Sequence, residues 1–179
     1  DAADRIAVSQ FTITMATTGA YVSGVNVYGF TDSGYTSPVS GLSADGGFLV
    51  TDKIGSAGDG PWATSATQLE FAAEDTSSAS TTIEIPAGQT RYFEVRGTVS
   101  SASTGDSVST QLEGDADYLK VANQMIGLGS TTDETHNDFF WSPISTTTGS
   151  SAYGDLDWTN GFNVGGLPSS NMGAEVLSL

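Results

Sequence analysis

The chain contains no cysteine, has only five lysine and arginine residues against 21 aspartate and glutamate residues, and carries a formal net charge of −16. Without cysteine, neither a disulfide framework nor a thiolate site can form. So acidic a surface repels phosphate backbones, which argues against nucleic-acid binding, and it suits metal cations, basic partners or a saline exterior. Apolar runs of only a few residues predict no membrane span.

A two-residue alternation of apolar and polar side chains is the strongest pattern in the sequence. In the segment Thr81–Val99, Ile83 and Ile85 alternate with polar residues before the Pro-Ala-Gly at 86–88, and a second alternating run follows from Phe93 to Val99. Such a period buries one face of a strand and leaves the other in water. The segment therefore predicts two strands joined as a hairpin.

Similar runs recur along the chain, at spacings typical of an all-β protein. We expect an immunoglobulin-like antiparallel β-sandwich of about seven to nine strands. Residues 1–126 are expected to form the sandwich core. Residues 127–179 are expected to form an irregular C-terminal extension, packed on the sandwich or passed to a neighbouring module. In the first run the apolar phase changes at Ser9-Gln10, which predicts a bulge or a strand that crosses between sheets.

Two acidic loops are candidates for calcium binding, because Asp and Glu oxygens are ligands that Ca²⁺ prefers. The alternative is that both loops are simply solvated surface. His136 is the only histidine, so a zinc site would lack further nitrogen or sulfur ligands. The candidate calcium ligands are Asp115, Asp117, Asp133, Glu134 and Asp138.

No motif in the chain predicts catalysis, so we expect a protein that is not an enzyme. There is no Gly-x-Ser-x-Gly elbow or Gly-rich phosphate loop. No pattern in the sequence marks any pair of acids as lining a cleft. Two alternatives to a structural role stay open. The first is an adhesive or carbohydrate-binding module in which Trp158, Tyr153 and Trp62 stack on sugars, and the second is a secreted hydrolase. The competing interpretation places the tryptophans in the core or pins them against it.

Three blocks of the sequence carry a resemblance to known proteins. The segment 83–95, with its Pro-Ala-Gly turn, resembles a strand–turn–strand element of immunoglobulin-like modules in bacterial surface proteins. Segments 137–143 and 157–168 are similar to recurrent blocks of large repetitive surface proteins from candidate-phylum bacteria. The resemblance implies an extracellular, envelope-associated structural module of a surface layer or filament, and it carries over no functional residues.

These observations lead to one expected function, a non-catalytic structural subunit at the cell surface. We expect the chain to be a processed secreted protein or a fragment, and to associate with itself or with neighbouring modules. Contacts are expected at the strand near Arg5–Met15 and at the tail Glu175–Leu179, because chain ends can supply edge strands to a neighbour.

Overall fold

The computed structural model describes residues 5–40, 47–51, 67–72, 82–116, 138–143, 159–167 and 169–178. These residues form antiparallel strands and no helix, so the prediction of an all-β protein is confirmed. Among them there is no helix long and apolar enough to cross a membrane. The strands are β1 (Arg5–Thr18), β2 (Tyr21–Phe30), β3 (Gly47–Thr51), β4 (Thr67–Ala72), β5 (Ile83–Pro86), β6 (Tyr92–Ser100), β7 (Ser107–Leu112), β8 (Phe139–Ser142), β9 (Thr159–Asn160) and β10 (Glu175–Ser178).

Strand β1 is the centre of the sheet. Its first half pairs with β5 and β8, and its second half pairs with β4 and β7. The register against β8 shifts between Val8 and Gln10, which confirms the bulge predicted from the change of apolar phase. The expectation that Arg5–Met15 forms an edge strand is wrong. Alternating apolar residues show that a strand has a buried face but do not reveal how many neighbours it has.

The strands form two layers. One contains β2 and β6, the other contains β1 with its partners β4, β5, β7 and β8, and the short strand β3 joins them. In the described part of the chain the strands follow the order β10-β7-β1-β4-β3-β2-β6, and every neighbouring pair is antiparallel. Gly47 and Phe48 pair with β2, whereas Leu49 to Thr51 pair with β4. Because β3 pairs with one strand of each layer, it connects the two layers along that side of the core.

The core lies between the two layers. Leu69 and Phe71 of β4 and Ile83 of β5 are fully buried, and they cluster with the buried valines of β2. The rings of Phe11 on β1 and Phe93 on β6 meet edge to face, with centroids 4.8 Å apart. This contact joins the layer of β1 to the layer of β6, as edge-to-face aromatic pairs commonly do in protein cores.

Strands β5 and β6 do not form the predicted hairpin. Strand β5 pairs with β1, while β6 pairs with β2 in the other layer. The turn between them forms as expected: Gln89 donates its N–H to Pro86 O at 2.9 Å, and Gly88 takes a φ of 74°. This geometry is that of a type II turn, which favours glycine at its third position. The chain passes from one layer to the other here, and the period of the sequence does not encode that choice.

The strands described within residues 127–179 belong to the same sheet. Strand β8 pairs with β1 and β9, and β10 pairs with β7. The predicted boundary at residue 126 lies outside the described residues. Strand β10 is the last strand on its side of the sheet in the described part of the chain, as expected for the tail.

Candidate functional site

An apolar groove of about 560 Å³ lies where the two layers are not joined. Its base is formed by Met15, Val22 and Val25, which belong to the hydrophobic core cluster. Its walls are formed by β6 on one side and β10 on the other. These are the two ends of the strand order, so within the described residues each pairs with a single neighbouring strand. The groove is thus bordered by two sheet edges.

The side chains on the groove walls are exposed although they are apolar. The exposed fraction is 40% for Val95, 60% for Val176 and 56% for Leu177. The alternation in β6 predicts that Val95 faces the core, and the structure does place it at the groove. What the sequence does not show is that the described strands and loops leave this part of the face exposed. An exposed apolar patch beside an edge strand is typical of an interaction surface.

Strand β10 is fixed in place through β7. The N–H of Met172 donates to Leu112 O at 2.9 Å, and the side-chain amide of Gln111 donates to Met172 O. The strand then runs antiparallel to β7, with Glu175 opposite Thr110 and Ser178 opposite Ser107. Because these bonds hold the backbone, β10 keeps its position although all four of its residues are exposed.

Few charged side chains line the groove in the described part of the chain. Among the described residues, Arg96 of β6 and Glu175 of β10 are the charged ones that line it, in a chain of net charge −16. The guanidinium of Arg96 lies 4.8 Å from the ring centroid of Tyr28 and 2.6 Å from a carboxylate oxygen of Glu94. These contacts place the cation against its own sheet. The described lining of the groove is otherwise uncharged and mostly apolar.

The candidate calcium ligand Asp115 is buried in a polar cluster. We call Asp115 and the backbone groups that donate to it, those of Asp138, Phe139 and Gly161, the Asp115 anchor. Its carboxylate accepts hydrogen bonds from the backbone N–H groups of Asp138 at 2.8 Å, Phe139 at 3.2 Å and Gly161 at 2.8 Å. It is only 1% exposed. Backbone N–H groups are good partners for a buried carboxylate, because each one compensates part of its lost hydration. The carboxylate thereby connects the end of β7 with β8 and the turn after β9.

Asp138 is the second predicted calcium ligand that the structure describes, and it lies beside the first. It is buried, and its backbone carbonyl accepts a 2.7 Å hydrogen bond from the N–H of Thr12. The described residues contain no group of three or more His, Cys, Asp or Glu that could hold a metal ion. Asp117, Asp133 and Glu134 lie outside the described residues, so the calcium site stays a prediction.

A second acid near the Asp115 anchor, Glu113, is also buried, and nothing in the sequence predicts its burial. Glu113 is 5% exposed, and its carboxylate accepts a hydrogen bond from the hydroxyl of Thr14. Its N–H donates to Thr12 O at 3.0 Å. The alternation in β7 places Glu113 on the polar face. Thr14 lies on the neighbouring strand β1, opposite Gln111 in the register, so its contact with Glu113 is visible only once the strands are paired.

A partly exposed acid, Asp32, organises the loop after β2. The carboxylate of Asp32 accepts hydrogen bonds from the N–H groups of Gly34, Thr36 and Ser37 and from the Thr36 hydroxyl. The bond from Ser37, at 2.6 Å, contributes most to lowering the pKa of Asp32 below its ordinary value. This is the turn-forming role that the sequence suggests for an Asp next to Ser and Gly.

The aromatic residues of the carbohydrate-binding alternative, Trp158, Tyr153 and Trp62, lie outside the described residues, and that alternative stays a prediction. Comparisons with other proteins add no family: no family model, no curated protein and no solved structure matches the chain.

Proposed function

We propose that this chain is a non-catalytic structural module of an extracellular bacterial assembly, a surface layer or a filament, and that its two layers form an immunoglobulin-like sandwich. In such a module the backbone hydrogen bonds and the core between the layers would carry load, and contacts between modules would propagate it. The observation that carries the proposal is the apolar groove bordered by two edge strands.

The groove supports this function because soluble proteins usually protect their sheet edges. They do so with lysine, proline, bulges or a covering loop, since an open edge pairs readily with another chain. Strand β10 has neither lysine nor proline, and Val176 and Leu177 lie more than half exposed upon it. A module that assembles through an added strand would need such an edge, whereas a protein that acts alone would be impaired by it.

The charge of the chain supports the same function. A net charge of −16 keeps individual molecules soluble through mutual repulsion. Association then depends on a surface where charge is low, and the groove is such a surface. An acidic, hydrated exterior with an apolar contact region is a suitable arrangement for subunits that assemble at a cell surface.

Negative-stain microscopy combined with light scattering over a concentration series tests the proposal. We expect dimers or larger particles to appear as the concentration rises from micromolar to millimolar, without any added ligand. A protein that stays monomeric over this range would contradict the function. Glycan-dependent binding that is lost in a Trp158→Ala variant, without self-association, would favour the carbohydrate-binding alternative.

Calcium is tested separately, because the candidate ligands are only partly described. If the acidic loops bind Ca²⁺ at module contacts, EDTA will lower the melting temperature or dissolve the particles, and added Ca²⁺ will restore them. A melting curve and particle distribution that EDTA leaves unchanged would mean that the loops are ordinary surface, and the structural function would be unaffected.

A further inference from the structure

We infer that the Asn160–Gly161 peptide is a site of self-modification that the Asp115 anchor keeps closed, and that the modification, once made, keeps the anchor open. This is the one Asn-Gly dipeptide in the sequence. Glycine after asparagine leaves the backbone nitrogen least hindered for attack on the preceding side chain, because glycine has no side chain of its own. The change takes place within a single chain and requires no partner.

The reaction uses atoms of the chain and one water molecule. The backbone nitrogen of Gly161 attacks Cγ of Asn160 and forms a C–N bond that closes a five-membered succinimide ring, an intramolecular step. The attacking nitrogen loses its proton, and the side-chain nitrogen of Asn160 leaves with that proton as ammonia. Water then adds to one of the two ring carbonyls and opens the ring. The product at position 160 is aspartate, or isoaspartate, whose main chain is one carbon longer.

The fold holds the peptide plane between Asn160 and Gly161 at both of its polar atoms. The N–H of Gly161 donates to the Asp115 carboxylate at 2.8 Å, and the carbonyl of Asn160 accepts the indole N–H of Trp141 at 2.9 Å. Asn160 also belongs to the extended strand β9, which pairs with β8. Ring closure requires the plane to rotate toward the side chain of Asn160, which breaks both hydrogen bonds. The closed anchor therefore slows the attack.

The side chain of Asn160 is held as well. Its Oδ1 accepts the N–H of Phe162 at 3.2 Å, and the residue is 0% exposed, so the water that opens the ring does not reach it in the closed state. A Cβ at Gly161 would lie 3.1 Å from an oxygen of Asp115, closer than most real Cβ contacts. The glycine that suits the anchor is therefore also the residue that makes this peptide reactive when the anchor opens.

Neither product fits the closed anchor. Aspartate at position 160 would place a second carboxylate at a fully buried position, beside the N–H group that Asp115 binds, and burying a further charge of the same sign is costly. Isoaspartate would lengthen the main chain before Gly161 and move the N–H groups of Gly161 and Phe162 away from their acceptors. Each product favours the open state, so a transient opening becomes a lasting change.

Peptide mapping by mass spectrometry, after incubation at neutral pH, measures the reaction because replacing the amide by a carboxyl group changes the mass of the peptide. We expect Asn160 to react at least about tenfold more slowly in the folded chain than in the chain unfolded by guanidinium chloride, since the reactive state requires local opening. In the unfolded chain, Gly161→Ala should slow the reaction at least about tenfold, because the methyl group hinders the attacking nitrogen.

Variants of the folded chain separate the anchor from general stability. Asp115→Ala should speed the reaction at Asn160 at least about tenfold, because it frees the N–H of Gly161. Asp115→Asn keeps one acceptor oxygen and should speed it less, and it carries the test if Asp115→Ala does not fold. Ile83→Val is the control: it weakens the core at a fully buried residue of β5 and should change the rate by no more than about twofold.

Thermal unfolding of Asn160→Asp tests whether the product opposes the closed anchor. This variant should lower the melting temperature of the wild-type chain, and should lower that of Asp115→Asn by less than half as much, because the repulsion between two carboxylates is then absent. Asn163→Asp adds the same charge at an exposed position three residues further on, and should leave the melting temperature nearly unchanged.

Each part of the proposal has a result that overturns it. An unfolded chain in which Asn160 does not react would remove the site. A folded chain that reacts as fast as the unfolded one, or an Ile83→Val variant that reacts as fast as Asp115→Asn, would remove control by the anchor. An Asn160→Asp substitution with equal effects in both backgrounds would show that the product does not hold the anchor open. No measurement here uses association between chains, so the proposed function is tested separately.

Discussion

The Asp115 anchor and the groove deal with unpaired backbone in opposite ways. At the anchor, a buried carboxylate accepts three backbone N–H groups from β8 and from the turn after β9. At the groove, two strand edges have no further strand beside them in the described part of the chain. The comparison teaches that a charged side chain satisfies the buried backbone at the anchor, whereas the strand edges at the groove are flanked by exposed apolar side chains.

Asp115→Ala is the substitution that should separate these two regions most. It removes a charged acceptor from three N–H groups, two of them in buried positions, and hydrogen bonds to charged groups contribute about 1.5–3 kcal/mol each, although not additively. We expect the free energy of unfolding to fall by about 4 kcal/mol in urea denaturation.

Asp115→Asn is the matched control for that substitution. Its amide keeps the shape and one acceptor oxygen, so it should recover part of the loss. A change of less than about 1 kcal/mol in Asp115→Ala would mean that the anchor does not hold the fold, and the contrast with the groove would disappear.

Thr14→Val probes the neighbouring acid with a smaller expected effect. Valine has nearly the shape of threonine but cannot donate to the carboxylate of Glu113, which is buried. The loss of one hydrogen bond to a charged group should lower the free energy of unfolding by about 1.5 kcal/mol. Thr14→Ser keeps the hydroxyl and should cost clearly less, so equal effects of the two variants would assign the loss to packing instead.

Leu177→Ser tests the groove side of the comparison. The side chain is 56% exposed, so its replacement should change the unfolding free energy of the isolated monomer by no more than about 0.5 kcal/mol. The measurement belongs at a protein concentration low enough to suppress association, because binding to the folded state raises apparent stability. A monomer destabilised by about 2 kcal/mol would show that β10 is part of the core.

Asp32 should give the smallest effect, because it accepts several N–H groups, as Asp115 does, but is partly open to solvent whereas Asp115 is buried. Its pKa is lowered in the folded chain, chiefly by the hydrogen bond from Ser37. The carboxylate therefore stabilises the fold above its ordinary pKa of 3.8, and this contribution is lost as the pH falls below that value. Asp32→Asn should weaken the acid dependence of the melting temperature in that range. An unchanged acid limb would mean that the loop bonds do not contribute to stability.

The sequence predicts which segments are strands better than it predicts their partners. The alternation in β2, β4 and β7 reflects the burial of one face of each strand. The order of apolar and polar residues within a strand is enough to reveal that face. The partners of β5 and β6 depend on the layer into which the turn at Gly88 sends the chain, so the expected hairpin was wrong. The bulge at Ser9 was predictable because a change of phase must appear in the register.

The candidate site was predictable only in parts. The tail was expected to be a contact strand from its apolar end, and the described part of that tail does lie at an edge of the sheet. The groove beside it could not be foreseen, because it is defined by β6 approaching from a different part of the sequence. Asp115 was chosen for its charge, whereas its surroundings come from residues 23 to 46 positions further along the chain.

The central position of β1 has a consequence for how the protein is made. This strand comes before all of its partners in the chain, and they extend to β8, more than 120 residues later. Domains rich in such distant pairings fold slowly, because long loops must close before the contacts form. Until its partners have been synthesised, both edges of β1 stay unpaired. A strand with alternating apolar residues is then prone to pair with the wrong segment. Chaperone protection of the nascent chain should matter more for this protein than for a helical one of equal length.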